Sequence, residues 1–267
     1  EERHHKYKLD AALAFARANK LDKVMIDSPK RRLGIVTTGK SYLDTRQALD
    51  DLGISDAQAA DMGINLYKVA MTWPLEREGM LAFAEGLDEI LVVEEKRPLI
   101  ENQLKEQLYD LRDNVRPNVL GKFDESGDWI LPSSGELTPA QIARAIAKRL
   151  SRWQTSELIS ERMAFLERKE ASLAQQPPSA KRIPYFCSGC PHNTSTKVPE
   201  GSRALAGIGC HFMSLWMDRN TETFTHMGGE GVSWVGQAPF VEDDHVFVNL
   251  GDGTYYHSGY MAIRQAV

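Results

Sequence analysis

Three short stretches of this chain are mostly apolar, and helical patterns separate them. Residues 33–38 (Leu33-Gly34-Ile35-Val36-Thr37-Thr38) run into Gly39, residues 66–71 form a second run, and residues 89–94, rich in Ile, Leu and Val, form a third. Between them lie helical patterns at 42–52, closed by Gly53, at 56–62 and at 79–85. Residues 98–111 follow with Pro98 in the first turn and Leu99, Ile100, Leu104, Leu108 and Leu111 on one stripe. A strand that is apolar on both faces must be covered on both. Strands alternating with helices therefore predict an α/β fold built on a parallel sheet with helices on either side.

The flanks read differently. Residues 6–21 have helical spacing through Leu9, Leu13, Ala16, Ala18 and Leu21, and a basic connector, Ser28-Pro29-Lys30-Arg31-Arg32, follows. Glu94, Glu95 and Lys96 read as a solvated strand end. Residues 114–135 dissolve into Pro, Gly and Asp. Thr138-Pro139 then supplies an N-cap with proline at the first helical position and opens a helix over 140–150. A charged helix over 155–173 and the linker Gln175-Gln176-Pro177-Pro178-Ser179 lead into a glycine-rich remainder. The expected boundaries are 1–32 for a helix and connector, 33–123 for an α/β domain, 124–180 for a helical linker region and 181–267 for a final domain. There is no internal repeat.

A chain of 267 residues holds one large or two ordinary domains, and 26% charged residues suit a soluble one. No apolar run approaches the about 20 residues that cross a bilayer, and Glu1-Glu2-Arg3-His4-His5 is not a signal peptide. A net charge of −5 argues against nucleic acid or an anionic membrane as partner. Three cysteines point to a reducing compartment, the cytoplasm. Residues 260–267 read as a helix without a stop, as in a piece of a longer polypeptide.

The chemistry-bearing residues lie late in the chain. Val246-Phe247-Val248 runs into Asn249-Leu250-Gly251-Asp252-Gly253. A strand entering Gly-Asp-Gly presents one carboxylate at a turn where backbone N–H groups can approach phosphate oxygens, as a divalent metal bridging a diphosphate requires. The same tripeptide is also a common turn. Cys187-Ser188-Gly189-Cys190-Pro191-His192 precedes Gly207-Ile208-Gly209-Cys210-His211. From spacing alone this set fits a zinc site of Cys187, Cys190, Cys210 and either His211 or His192, a redox dithiol, or idle cysteines. An iron–sulfur cubane needs a fourth thiolate. Thr225-His226-Met227-Gly228-Gly229-Glu230-Gly231 is a second glycine-rich turn before a helix, with His226 and Glu230 as acid–base candidates or solvated turn residues. Trp216 and Trp234 are expected in the core.

Taken in order, Cys187-Ser188-Gly189-Cys190-Pro191-His192-Asn193, Gly207 to His211, His226 to Gly231 and Asn249 to Tyr255 resemble the thiamine-diphosphate domain of the 2-oxoacid:ferredoxin oxidoreductases. The nearest resemblance is to the long, fused bacterial indolepyruvate type. Leu33 to Thr45 and Val92 to Glu101 are similar to that family's transketolase-C-terminal-like domain. The resemblance implies a three-layer parallel sheet of that type over 33–123, then a helical linker, then a truncated thiamine-diphosphate-binding α/β domain over 181–267.

It further implies that Asp252 ligates a Mg²⁺ bridging the cofactor's diphosphate, with Gly251 and Gly253 allowing backbone approach. Gly209, Cys210, Gly228 and Gly229 would line the diphosphate and thiazolium. Cys187, Cys190 and Cys210 match three ligands of a [4Fe–4S] cluster, whose fourth ligand lies beyond Val267. The second metal-ligand Asn and the glutamate that activates the aminopyrimidine also lie outside these residues, so the chain alone is expected to be inactive. The implied reaction is oxidative decarboxylation of a 2-oxoacid, indolepyruvate or another aryl pyruvate, to an acyl-CoA, with electrons passing through iron–sulfur clusters to ferredoxin. The implied partners are the substrate, coenzyme A, ferredoxin, the remaining domains of the enzyme and a further copy in a homo-oligomer. Two other readings compete: a zinc-stabilised binding or assembly module, and a non-oxidative thiamine-diphosphate decarboxylase or transketolase relative.

Overall fold

The computed structural model describes residues 1–154, 156–175 and 183–267. The chain divides into two compact units, Glu1–Gln176 and Pro177–Val267. Of the expected linker, only Gln175 falls within the described residues.

The first unit is an α/β layer structure. Its five strands are β1 (Lys23–Ile26), β2 (Leu33–Thr38), β3 (Ile64–Val69), β4 (Glu89–Val93) and β5 (Asn118–Leu120), in the order β1-β3-β2-β4-β5. β2 to β5 are parallel, whereas β1 pairs antiparallel with β3, so the sheet is mixed and not purely parallel as expected. The helices are α1 (Leu9–Ala18), preceded by a π turn over His4–Lys8, then α2 (Gly39–Asp51), α3 (Asp56–Met62), α4 (Arg77–Ala84), α5 (Leu99–Leu108), α6 (Pro139–Leu150) and α7 (Glu157–Gln175).

Alternation along the central strands sorts their side chains to two cores. Leu33 and Ile35, Ile64 and Leu66, and Leu91 and Val93 pack with Ala48, Leu49, Ala59, Ile142 and Ile146 of α2, α3 and α6. Val36, Tyr67, Val69, Ile90 and Val92 pack on the other face with Met80 and Phe83 of α4 and with Ile100, Leu104 and Leu108 of α5. Pro98 stands at the N-cap of α5, one residue outside the helix, and Leu99 is exposed, so the buried stripe is Ile100, Leu104 and Leu108.

Two expectations change with this architecture. α6 lies in the stretch expected to be a helical linker, yet its apolar face completes one of the two cores. It starts at a capping box, in which Thr138 Oγ1 accepts from Gln141 N and the Gln141 side chain accepts from Thr138 N. Glu94 is not solvated: it is buried, and its carboxylate accepts from the backbone N–H groups of Leu99, Ile100 and Glu101 at 2.9–3.1 Å. It thereby satisfies the open N–H groups at the start of α5, a position that favours a negative charge.

The second unit holds a three-stranded parallel sheet, β6 (Ala204–Ala206), β7 (Thr221–Phe224) and β8 (Phe247–Val248), in the order β7-β6-β8. Short helices α8 (His192–Ser195) and α9 (Val232–Gln237) and a 3₁₀ segment (Gly209–Trp216) surround it. A final helical run comprises α10 (Asp252–Thr254), a π turn (Tyr255–Gly259) and α11 (Tyr260–Ala266). β6 is buried throughout, while β8 is exposed. Trp216, expected in the core, is 54% exposed, because the short strands of this unit offer little apolar surface to cover it. Trp234 is half-buried, with the Arg203 guanidinium 5.5 Å from its ring centre.

Candidate cofactor site

Because β6, β7 and β8 run the same way, their carboxyl ends share one edge. The segment after β6 is Gly207 to His211, the segment after β7 is Thr225 to Gly231, and the segment after β8 is Asn249 to Gly253. In open α/β sheets this edge is where ligands sit. Three of the four motifs singled out in the sequence are thus delivered to one side of one sheet.

Glycines permit the close packing of these turns. A Cβ on Gly207 would fall 2.4 Å from the Asn249 carbonyl oxygen, so the first and third turns touch backbone to backbone. Gly228, at φ +92°, lies against Ser258 of the final helical run. Two other glycines face open space: no atom lies within 4 Å of the Cβ position at Gly209 or at Gly253. The Gly209 backbone is therefore free to be approached, while Gly253 N is taken up by the Asp252 carboxylate.

Asp252 begins the final helical run and is exposed. Its Oδ1 accepts from Gly253 N at 2.8 Å, which leaves Oδ2 directed elsewhere. Gly251 before it is extended, at φ −72° and ψ 149°, and forms the N-cap. Nearby on β8's end, Asn249 is buried and its Nδ2 donates to nothing among the described residues. Glu230 is buried as well. Its Oε2 accepts from Gly228 N at 2.6 Å, and its Oε1 has no partner among the described residues. Orphaned buried polar atoms are uncommon, and each calls for a partner such as an ordered water or a bound group. His226 is exposed and its ring closes over Gly229, whose Cβ would lie 2.8 Å from the ring's Cε1. A pocket of about 410 Å³ lies beside this turn, lined by Thr225, His226, Gly228, Gly229, Val232 and Met261.

The cysteine loop is joined to the same region through histidines. Cys190 N donates to the Cys187 carbonyl at 3.1 Å, and Asn193 Nδ2 bonds both the Cys187 and Cys190 carbonyls. Cys190 Sγ lies 3.0 Å from His192 Nδ1, and the His192 ring centre is 4.5 Å from that of His211. Burial lowers the His211 pKa and the neighbouring His192 lowers it further, while the Glu230 charge opposes both.

Cys187 and Cys210 are exposed and Cys190 is half-buried. Among the described residues no three His, Cys, Asp or Glu side chains converge so as to hold a metal ion. The three thiols are therefore not gathered as a cluster cage or as a zinc site, and as placed they do not fit a [4Fe–4S] group. A diphosphate with Mg²⁺ makes a smaller demand, since Mg²⁺ takes one or two carboxylates and completes its shell with phosphate oxygens and water. Asp252, the open backbone at Gly209 and the unsatisfied Asn249 amide fit that group. Sequence reasoning missed Asn249 as a site residue, along with the Cys190–His192–His211 contact. Asn249 was visible only as the residue before Leu-Gly-Asp-Gly, and the histidine contact joins two distant turns.

Residues 22–176 match the family described as the indolepyruvate ferredoxin oxidoreductase middle domain. The indolepyruvate oxidoreductase subunit IorA of Thermococcus kodakarensis is 28% identical over 255 residues, which is 88% of this chain and 36% of that protein. That of Pyrococcus horikoshii is 26% identical over 91% of this chain and 37% of that protein. A solved 2-oxoglutarate:ferredoxin oxidoreductase from Magnetococcus marinus aligns with a TM-score of 0.33 at 16% identity, over 54% of this chain and 23% of that one. The chain spans little more than a third of the length of the curated relatives it matches. With more than half of its residues inside that match, the chain belongs to the indolepyruvate ferredoxin oxidoreductase middle domain family.

Proposed function

We propose that this chain is part of a 2-oxoacid:ferredoxin oxidoreductase that oxidatively decarboxylates an aryl pyruvate, such as indolepyruvate, to an acyl-CoA, with the second unit anchoring thiamine diphosphate. The observation that carries this reading is the delivery of the turns after β6, β7 and β8 to one sheet edge, with the exposed Asp252 carboxylate at the start of a helical run.

Thiamine diphosphate, when bound, supplies the nucleophile and the electron sink for decarboxylation. The chain's own task is anchoring. Asp252 would provide a hard oxygen to Mg²⁺, and the Gly209 backbone, with open space at its Cβ position, would allow its N–H group to reach a diphosphate oxygen. Asn249 would donate its free amide into the same edge. Glu230, held by the Gly228 N–H with its second oxygen unpaired, would accept a proton or hydrogen bond from the bound group. His226 beside the pocket would face substrate. Coenzyme A, ferredoxin and further subunits are the partners this reaction requires. Cys187, Cys190 and Cys210 do not converge, so no electron-transfer step is assigned to them.

The test is Asp252→Ala in the assembled enzyme, with thiamine diphosphate binding measured by titration calorimetry with and without Mg²⁺. Loss of the only carboxylate at this turn removes ligand and charge together, so Mg²⁺-dependent binding is expected to vanish. Cofactor affinity within about twofold of the parent would rule out this anchoring role.

A further inference from the structure

The first unit contains a pocket of about 430 Å³ that the proposed chemistry does not use. Arg17 and Lys20 from the end of α1, Asp22 and Lys23 at the start of β1, Tyr67 of β3 and Glu76 before α4 line it. Its wall is otherwise carbon, from Ala16, Val24 and Gly79.

The polar groups fall into two sets. On the floor, Asp22 Oδ1 accepts from Ala70 N at 2.7 Å, while its Oδ2 is buried and has no partner among the described residues. Glu76 is 3% exposed. Its Oε1 accepts from Arg17 Nε at 3.1 Å and its Oε2 from Gly79 N at 2.7 Å. Tyr67 is 5% exposed, and no hydrogen-bond partner for its hydroxyl is found among the described residues. Burial first, then the charges of Asp22 and Glu76, hold this phenol protonated well above the usual range. Tyr67 Oη and Glu76 Oε2 lie 2.8 and 2.9 Å from the point a Gly79 Cβ would occupy, so the missing side chain at Gly79 leaves a gap bounded by both oxygens. On the rim, Lys20 and Lys23 are exposed and neither is ion-paired among the described residues.

A mostly carbon wall with an acidic, incompletely bonded floor and two free cations at the mouth suits a molecule with an apolar body and opposite charges at neighbouring atoms. We propose that this pocket binds an α-amino acid with an apolar side chain, its ammonium donating to Asp22 Oδ2, Glu76 and the Tyr67 oxygen, its carboxylate facing Lys20 and Lys23. The site belongs to the first unit alone and does not depend on how the second unit anchors a cofactor.

Titration calorimetry of the full 267-residue chain with L-leucine tests it, with L-leucinamide and 4-methylpentanoate as probes that each lack one of the two charges. Saturable binding of L-leucine is expected, with each control roughly tenfold or more weaker, since each forfeits charge-assisted hydrogen bonds. Tyr67→Phe, which keeps the ring, and Lys23→Gln on the exposed rim are each expected to weaken L-leucine binding about tenfold with an unchanged melting temperature. No heat with L-leucine, equal binding of a control, or undiminished binding in Lys23→Gln would overturn the assignment. The Lys23 variant decides the matter even if Tyr67→Phe is destabilised.

Discussion

Glu94 and Lys122 form a buried polar pair at the carboxyl edge of the first sheet. Lys122 is 1% exposed, and its ammonium donates to the Glu94 carbonyl at 2.5 Å, while its backbone N–H donates to Glu101 Oε2 at 3.0 Å. Burial lowers the Lys122 pKa, and the charges of Glu94 and Glu101 offset only part of that effect. A lysine whose folded pKa lies below its unfolded value binds fewer protons folded than unfolded in the window between the two. Stability therefore rises with pH across that window, up to the ordinary lysine value of about 10.4. Lys122→Met removes the titrating group while keeping an apolar stem. The unfolding free energy of the parent relative to this variant is expected to increase as pH goes from 7 to 10, measured by urea denaturation. A flat difference would mean that Lys122 titrates as it would in water.

At the scale of elements, caps matter as much as cores. α3 and α6 both begin with a full capping box, Ser55 with Gln58 and Thr138 with Gln141. Thr138→Ala should cost about 1 kcal/mol in urea denaturation, because the Gln141 N–H loses its acceptor while the apolar face of α6 is unchanged. Such signals are local, which is why the extents of α3 and β2 were legible residue for residue. β3 begins two residues earlier than its apolar run suggested, because Asn65 is carried inside by accepting from Ser28 N, a bond 37 positions away in sequence. β1 and β5, with four and three residues, escaped notice since each buries a single side chain fully, Ile26 and Leu120. Glu94 looked solvated because its three backbone donors lie five to seven residues downstream, on a helix whose approach depends on packing. At the candidate site, the residue types and their order were legible in the second unit. That their turns share an edge follows from the strand order β7-β6-β8, which no local pattern encodes.

Across the whole molecule the two units differ in how completely they bury their apolar side chains. The first closes a core on each face of its sheet from its own residues, with Leu33, Ile35, Leu66, Met80, Ile90, Leu91, Ile100 and Leu104 all fully buried. The second buries few apolar side chains, chiefly Phe186, Ala204, Leu205, Ala206 and Ala262, and leaves Phe240 at 86% and Tyr256 at 81% exposure. A parallel sheet ordinarily needs cover on both faces, and small units with little buried apolar surface are marginal on their own. A fragment of residues 1–175 is therefore expected to unfold in one cooperative thermal transition, since burial of its core supplies the driving force without help. A fragment of residues 183–267 is expected to bind a hydrophobic dye such as ANS and to melt without a sharp transition. Calorimetry of the two fragments separates the outcomes. A sharp transition in the smaller fragment would mean that its short strands and caps suffice. Loss of the transition in the larger one would mean that its cores draw on residues outside 1–175.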